Sequence, residues 1–178
     1  MSETTFCPWC QSIQPVKLEQ TGGQSQVSCL TCGTPIERRV HEGRREAARR
    51  PTVLCIDDDP LVLHFYITFL EGRGYRILVA EDGLPGIEIA KQERPDVILL
   101  DVMLRGLSGF DICRKLREER TLEDTPIVLL TVLKNPNLRA TAREAGATVI
   151  LRKPADPEML VDLIERVLDG KIIPPRCA

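Results

Sequence analysis

The sequence predicts an α/β fold in which a doubly wound, five-stranded parallel sheet follows a small module stabilised by metal. Two observations carry this prediction. After Pro51, short apolar runs alternate with segments of helical character, which is typical of a parallel sheet covered on both faces. Before residue 36, two Cys-x-x-Cys pairs punctuate a segment that is rich in Gln, Ser and Thr and short of helical or strand periodicity.

Five apolar runs are the predicted strands. Each is short, rich in Leu or β-branched residues, and free of alternation with polar residues, which predicts strands buried on both faces of the sheet. The runs are TVLCI (52–56), RILVA (76–80), DVILL (96–100), PIVLL (126–130) and ATVIL (147–151).

Five helices are predicted between and after these strands. Asp59 and Pro60 are typical of an N-cap and a first helical position, Ser108 can cap the third helix, and Gly146 can end the fourth. The alternation implies right-handed crossovers and a site at the carboxyl ends of the strands. The predicted helices lie near 60–71, 84–93, 108–120, 136–145 and 156–169.

Polar residues follow the carboxyl ends of four predicted strands. They are Asp57–Asp58–Asp59 after the first, Asp101 after the third, Thr131 after the fourth, and Lys153 after the fifth. Carboxylates held about 4 Å apart repel one another by roughly 4 kcal/mol per pair, so their convergence predicts a hard cation such as Mg²⁺. Asp59 is the exception, since its place before Pro60 favours an N-cap.

Over residues 51–170 the sequence resembles the response-regulator receiver family. The matching motifs are VLCIDDDP, PDVILLDVMLRGLSGFDICRKLRE, TPIVLLT and GATVILRKPADPEML. The resemblance implies a flavodoxin-like receiver fold with a phosphoacceptor and a Mg²⁺ site. It implies these roles: Asp57 and Asp58 as the acidic pair that holds Mg²⁺, the Met103 carbonyl as a further metal ligand, Asp101 as phosphoacceptor and metal ligand, Thr131 as the hydroxyl on the phosphoryl group, and Lys153 as its cationic partner.

The resemblance also implies a phosphoryl-transfer reaction and a conformational switch. Asp101 would take a phosphoryl group from a phosphohistidine on a partner kinase, and a cis peptide before Pro154 would fix Lys153. Some residues depart from the family pattern: Ile150 replaces a switch aromatic, Val132 replaces a smaller residue, Arg105 and Ser108 stand where Pro and Asp are frequent, and KPA replaces KPF. They predict a working acceptor with a modified output surface.

The first segment carries a C-x₂-C-x₁₈-C-x₂-C pattern formed by Cys7, Cys10, Cys29 and Cys32. This spacing predicts a tetrahedral Zn²⁺ site, and the segment resembles a zinc ribbon, a module that needs its metal to fold. Two disulfides or a redox Cys-x-x-Cys motif are the alternatives.

The domain organisation predicted from these patterns has four parts. Residues 1–36 form the zinc ribbon, 37–50 an Arg-rich charged linker, 51–170 the receiver, and 171–178 a short tail. The 178 residues have a formal net charge of −2, which demands no polyanionic partner. The chain lacks an apolar stretch of about 18 residues and a signal peptide, so we expect a cytoplasmic protein without a membrane span.

These features predict a regulator of a His–Asp phosphorelay that catalyses only its own phosphorylation and dephosphorylation. Its expected partners are a sensor histidine kinase or phosphotransfer protein and a downstream protein. Two alternatives remain open: a nucleic-acid-binding transcriptional regulator gated by the receiver, and an adaptor independent of phosphorylation. Nucleic acid is less favoured because residues 1–36 contain one basic side chain, Lys17.

Overall fold

The computed structural model describes two parts of the chain. In the first it describes the backbone of four strands, and in the second it describes residues 49–153 and 155–170. The four strands form an antiparallel sheet in the order β1-β2-β3-β4. They are β1 (Thr4–Cys7), β2 (Ser12–Thr21), β3 (Gln24–Cys29) and β4 (Pro35–Ile36).

The second part contains a five-stranded parallel sheet in the order β6-β5-β7-β8-β9, which confirms the predicted doubly wound α/β fold of this part. Its strands are β5 (Thr52–Ile56), β6 (Arg76–Ala80), β7 (Val97–Asp101), β8 (Ile127–Thr131) and β9 (Val149–Arg152). The strands predicted at 96–100 and 126–130 are each shifted by one residue, so Asp101 and Thr131 are the last residues of β7 and β8. The strand predicted at 147–151 covers 149–152 instead. Asp96 lies just before β7, and its carboxylate accepts the Thr52 N–H at 2.7 Å.

Five α-helices connect and follow the strands, and a short 3₁₀ helix spans Arg120–Leu122. The predicted caps are confirmed: the Asp59 side chain accepts the Leu61 N–H, Ser108 accepts the Asp111 N–H, and Gly146 adopts φ +81° after the fourth helix. None of these helices is long and apolar enough to cross a membrane. They are α1 (Pro60–Glu71), α2 (Gly83–Glu93), α3 (Gly109–Glu118), α4 (Leu138–Glu144) and α5 (Pro157–Leu168).

Two apolar clusters lie on opposite faces of the parallel sheet. Alternate strand residues contribute to each, so that Leu54 and Leu100 face one side while Cys55 and Leu99 face the other. The first cluster includes residues of α2, α3 and α4, and the second includes residues of α1 and α5. The sheet is therefore covered on both faces, as a doubly wound fold requires.

Strand β6 departs from the expectation that every strand is buried on both faces. Arg76 and Val79 are exposed, Ile77 and Leu78 are half-buried, and only Ala80 is buried. The reason is topological, because β6 lies at the edge of the sheet and, among the strands that the structure describes, pairs with β5 alone. An apolar run alone does not distinguish an edge strand from a central one.

Candidate functional site

The site lies where the strand order reverses. Strand β5 pairs with β6 on one side and with β7 on the other, so the connections that leave β5 and β6 run in opposite directions across the sheet. In open parallel sheets this position leaves a crevice at the carboxyl ends of the two strands. Asp57 follows β5 directly and Asp101 ends β7, so both carboxylates lie at this crevice.

Three carboxylates form a cluster there, which we call the acidic pocket: Asp57, Asp58 and Asp101. One oxygen from each lies within 4.8 Å of the others. Asp57 and Asp101 are buried, and Asp58 is half-buried. A compact set of carboxylate oxygens, without His or Cys, is the donor set that suits Mg²⁺. The residues of the acidic pocket therefore fit the expected cation.

Lys153 connects two of these carboxylates. Its Nζ atom lies 2.5 Å from Oδ2 of Asp57 and 2.7 Å from Oδ1 of Asp101. The Lys153 side chain is only 17% exposed, and those of Asp57 and Asp101 are 3% and 7% exposed. The contacts are therefore shielded from water. Ion pairs interact more strongly in such a buried place than at the surface.

The remaining oxygen of each buried carboxylate accepts a hydrogen bond from the backbone two residues further on. The Asp59 N–H donates to Oδ1 of Asp57 at 3.1 Å, and the Met103 N–H donates to Oδ2 of Asp101 at 2.8 Å. Both carboxylates are thus held in the same way: one oxygen accepts a backbone N–H, and the other contacts the Lys153 ammonium. This arrangement fixes the orientation of the two side chains.

Burial and charge shift the titration of this group in opposite directions. Burial raises the pKa of the Asp57 carboxyl above its ordinary value, although the hydrogen bonds from Lys153 and the Asp59 N–H act against this. Burial by itself would lower the pKa of the Lys153 ammonium. The hydrogen bonds and negative charges of Asp101 and Asp57 outweigh burial and raise that pKa, so Lys153 stays protonated.

Thr131 stands beside the acidic pocket at the end of β8. Asp101 pairs with Leu130, the residue before Thr131, and the Thr131 carbonyl accepts the Lys153 N–H at 2.7 Å. The Thr131 side chain is buried, and its Oγ1 accepts the Leu133 N–H at 3.1 Å. The structure thus brings together the predicted carboxylates, hydroxyl and ammonium at one edge of the sheet.

Two of the residues that depart from the family pattern take up defined positions. Ile150 is 3% exposed and belongs to the apolar cluster that contains α2, α3 and α4. Val132 lies at the surface just after Thr131 and is 56% exposed. Of the two orientations open to an aliphatic side chain at position 150, the structure shows the inward one.

Two residues contribute to the site in ways that the sequence did not predict. A Cβ atom on Gly109 would lie 2.1 Å from the carbonyl oxygen of Asp101, so only glycine lets α3 begin this close to the end of β7. Arg105 contacts Asp58, with its Nε atom 3.0 Å from Oδ2. A glycine after a capping Ser was the available signal for the first, but no local pattern indicates the second.

Other predicted residues lie outside the described part of the chain. The side chains of Cys7, Cys10, Cys29 and Cys32, and the peptide bond before Pro154, are among them. The Zn²⁺ site and the cis peptide therefore stay predictions.

Comparisons with known proteins agree with this geometry. Residues 53–165 match the response regulator receiver domain family. Protein PilH of Pseudomonas aeruginosa is 34% identical over 118 residues, which cover 66% of this chain and 98% of PilH. The chain spans only 49% and 27% of two other, longer curated relatives.

Solved structures show the same fold. The chemotaxis protein CheY4 of Vibrio cholerae is 31% identical and aligns with a TM-score of 0.65 over 67% of this chain and 99% of CheY4. The receiver domain of the sensor histidine kinase PA1611 from Pseudomonas aeruginosa has a magnesium ion coordinated in its active-site cleft. It is 27% identical, with a TM-score of 0.63 over 67% of this chain and 98% of that domain. By sequence and by fold, the chain belongs to the response regulator receiver family.

Proposed function

We propose that this chain accepts a phosphoryl group on Asp101 and signals through contact with a partner protein. As a member of the receiver family it is a response regulator rather than an enzyme with an external substrate. The observation that carries the proposal is the position of Lys153, whose ammonium joins Asp101 to Asp57 inside the acidic pocket. A buried ammonium at this place can meet the charge of a phosphoryl group that arrives on Asp101.

In the proposed reaction an Asp101 oxygen attacks phosphorus on a phosphohistidine of the donor. The new O–P bond forms as the P–N bond breaks, and the leaving imidazole nitrogen takes up a proton. The Met103 N–H orients the Asp101 carboxylate, and Lys153 remains protonated beside it. Asp57, Asp58, Asp101 and the Met103 carbonyl would hold Mg²⁺, which offsets negative charge on the phosphoryl oxygens when it is bound.

We propose that Thr131 and Lys153 respond to the phosphoryl group on Asp101. Before transfer, the Lys153 ammonium contacts the carboxylates of Asp57 and Asp101. A phosphoryl group on Asp101 would offer the ammonium new oxygen acceptors in place of these carboxylates. Thr131 is the last residue of β8 and follows Leu130, the register partner of Asp101. Because Ile150 already packs in the core, we propose that the loop after Thr131 carries the change, with exposed Val132 as its surface.

The test is labelling with a small-molecule phosphodonor in the presence of Mg²⁺, followed by intact mass. Wild-type protein should gain one phosphoryl group, and Asp101→Asn should gain none. Asp59→Asn is the matched control, because Asp59 lies next to the acidic pocket but caps α1 with its side chain. Labelling of Asp101→Asn, or its absence from wild type while a receiver known to be active is labelled, would contradict the proposal.

The proposed partner surface surrounds the acidic pocket. Large apolar side chains that are more than half exposed lie after the carboxyl end of every parallel strand, and we call them the apolar rim. Exposed apolar side chains grouped around a site are typical of protein contact. They support a protein donor, such as a histidine kinase or phosphotransfer protein, over a small molecule as the physiological source. The rim residues are Leu61, Leu84, Met103, Val132 and Met159.

We further propose that residues 1–36 form a zinc ribbon joined to the receiver by the linker 37–50. The strand pairs Cys7–Ser12 and Ser28–Pro35 close two antiparallel connections, β1 to β2 and β3 to β4. One Cys-x-x-Cys pair begins at the first of these connections, and the other lies within the second. Cysteine pairs at two such connections, in a segment this small, support a structural Zn²⁺ site.

Zinc content of purified protein tests this second proposal. We expect one Zn²⁺ per chain in wild type and its loss in Cys10→Ser and Cys32→Ser. Cys113→Ala is the control, because Cys113 is buried in the receiver core and should leave the zinc content unchanged. Disulfides found by thiol counting in denaturant with a chelator and without reductant would instead support one of the two alternatives.

A further inference from the structure

Arg105 supplies a second cation to the acidic pocket. It lies in the loop between β7 and α3, and its Nε atom is 3.0 Å from Oδ2 of Asp58. Its Nη2 atom also lies 3.4 Å from the backbone oxygen of Asp58. Each of the three pocket carboxylates therefore contacts a cationic side chain: Lys153 serves Asp57 and Asp101, and Arg105 serves Asp58.

The two cations differ in how freely they can leave. The side chain of Lys153 is 17% exposed, whereas that of Arg105 is 84% exposed. The backbone at Arg105 is nevertheless fixed by a tight turn, since Leu107 N–H donates to the Arg105 carbonyl at 3.2 Å and Gly106 adopts φ +87°. The guanidinium thus reaches Asp58 from a defined loop, but water surrounds most of it.

The charges in the acidic pocket favour either Arg105 or a divalent cation at Asp58, but not both together. Three ionised carboxylates with Lys153 and Arg105 leave a net charge of −1 in the absence of a divalent ion. Adding a divalent cation with Arg105 still in place would make the group +1, whereas release of Arg105 makes it neutral. Arg105 and the divalent cation would also share the Asp58 carboxylate and repel each other.

We propose that Arg105 is a cationic latch that occupies Asp58 in the metal-free receiver and is released when Mg²⁺ binds. The latch lowers the affinity of the receiver for Mg²⁺ and stabilises the metal-free state. It is a positioning residue, since it acts through Asp58. This inference rests on the proposed metal site and adds to it a device that regulates its occupancy.

Direct titration of the full chain with Mg²⁺ by calorimetry tests the latch. Arg105→Gln should bind Mg²⁺ about two- to fivefold more tightly than wild type, the range that exposed ion pairs produce. The difference should shrink as NaCl is raised, because salt screens an exposed pair. Arg76→Gln is the matched control: it removes the same charge at the opposite edge of the sheet, where Arg76 pairs with Glu93, and should leave Mg²⁺ affinity unchanged.

Thermal unfolding gives a second readout that does not depend on phosphotransfer. In Mg²⁺-free buffer, without chelator, Arg105→Gln should melt below wild type, and in saturating Mg²⁺ the two should melt together. Arg105→Lys, which keeps the charge but not the forked geometry, should be intermediate. A variant that melts below wild type by the same amount in both buffers would show that Arg105 stabilises the fold irrespective of the metal.

The outcomes separate the latch from the metal site. If wild type binds Mg²⁺ but Arg105→Gln binds it equally or more weakly, the latch is wrong and the metal site stands. If Arg76→Gln tightens binding as much as Arg105→Gln, the effect is one of overall charge and the latch is again wrong. If wild type binds no Mg²⁺, the proposed metal site fails, and the latch fails with it.

Discussion

The ammonium of Lys153 lies 2.5 Å from an Asp57 oxygen and 2.7 Å from an Asp101 oxygen, so one cation joins the ends of β5 and β7. Neither carboxylate has another cationic contact of this kind among the ion pairs of residues 49–153 and 155–170. We therefore expect the stability of the metal-free receiver and its proposed phosphotransfer to depend on the same side chain.

Lys153→Met should destabilise the metal-free receiver by about 3 kcal/mol, because removing one partner leaves two buried carboxylates without a counter-charge. Adding Asp57→Asn to the same chain should recover part of this loss. Urea denaturation in Mg²⁺-free buffer measures both effects. Lys115→Met, which removes an exposed lysine from α3, is the control and should cost less than about 0.5 kcal/mol. A Lys153→Met variant as stable as the control would contradict the interpretation.

Gly109→Ala should destabilise the receiver by about 1–3 kcal/mol and reduce labelling of Asp101. The added methyl group would meet the Asp101 carbonyl at 2.1 Å and force the end of β7 or the start of α3 to shift. Gly106→Ala is an informative comparison, since Gly106 has φ +87° but open space around a Cβ atom. It should cost about 1–2 kcal/mol from backbone strain and affect labelling less. Equal labelling of both variants would mean that the contact at Gly109 does not matter to the phosphoacceptor.

Ile150→Ala should cost about 2–5 kcal/mol, the range for deleting a buried aliphatic side chain, because Ile150 is 3% exposed. Val132→Ala should stay within about 0.5 kcal/mol, since Val132 is more than half exposed. Chemical denaturation at neutral pH distinguishes the two. A small cost at position 150 would place that side chain outside the core and restore the possibility of an outward orientation.

Stability should fall as the pH rises above 9, in part because of Cys55. Burial raises the pKa of the Cys55 thiol far above its ordinary value of 9.0, with the nearby Asp57 charge adding to the effect. The unfolded chain then releases a proton that the folded chain retains, so stability decreases by up to about 1.4 kcal/mol per pH unit. Between pH 8 and 10, wild type should lose about 1 kcal/mol more than Cys55→Ala in urea denaturation. Parallel pH profiles for the two would show that Cys55 ionises as easily when folded as when unfolded.

The sequence predicted which residues lie at the carboxyl ends of the strands better than it predicted which strand lies at the edge of the sheet. Asp57, Asp101, Thr131 and Lys153 were expected there because parallel strands deliver their ends to one edge, and the N-cap role of Asp59 followed from its place before Pro60. These inferences need only strand direction and local capping chemistry, both of which are encoded by neighbouring residues.

What the sequence did not predict depends on residues far apart in the chain. The exposure of β6 follows from its edge position, which is a property of strand order rather than of RILVA itself. The Arg105–Asp58 contact joins residues 47 positions apart, and Lys153 reaches Asp57 over 96 positions. Local patterns place each member at the edge of the sheet, but only the folded chain decides which side chains touch.

The edge position of β6 also bears on how two chains could associate. An edge strand presents unpaired backbone groups on its outer side, and with Val79 exposed it offers a template on which a second chain could add a strand. Charged residues on an edge oppose such addition, and Arg76, paired with Glu93, begins this strand. Strand β6 supplies no side chain to the acidic pocket, so a substitution at Val79 should alter association through this edge without changing Asp101.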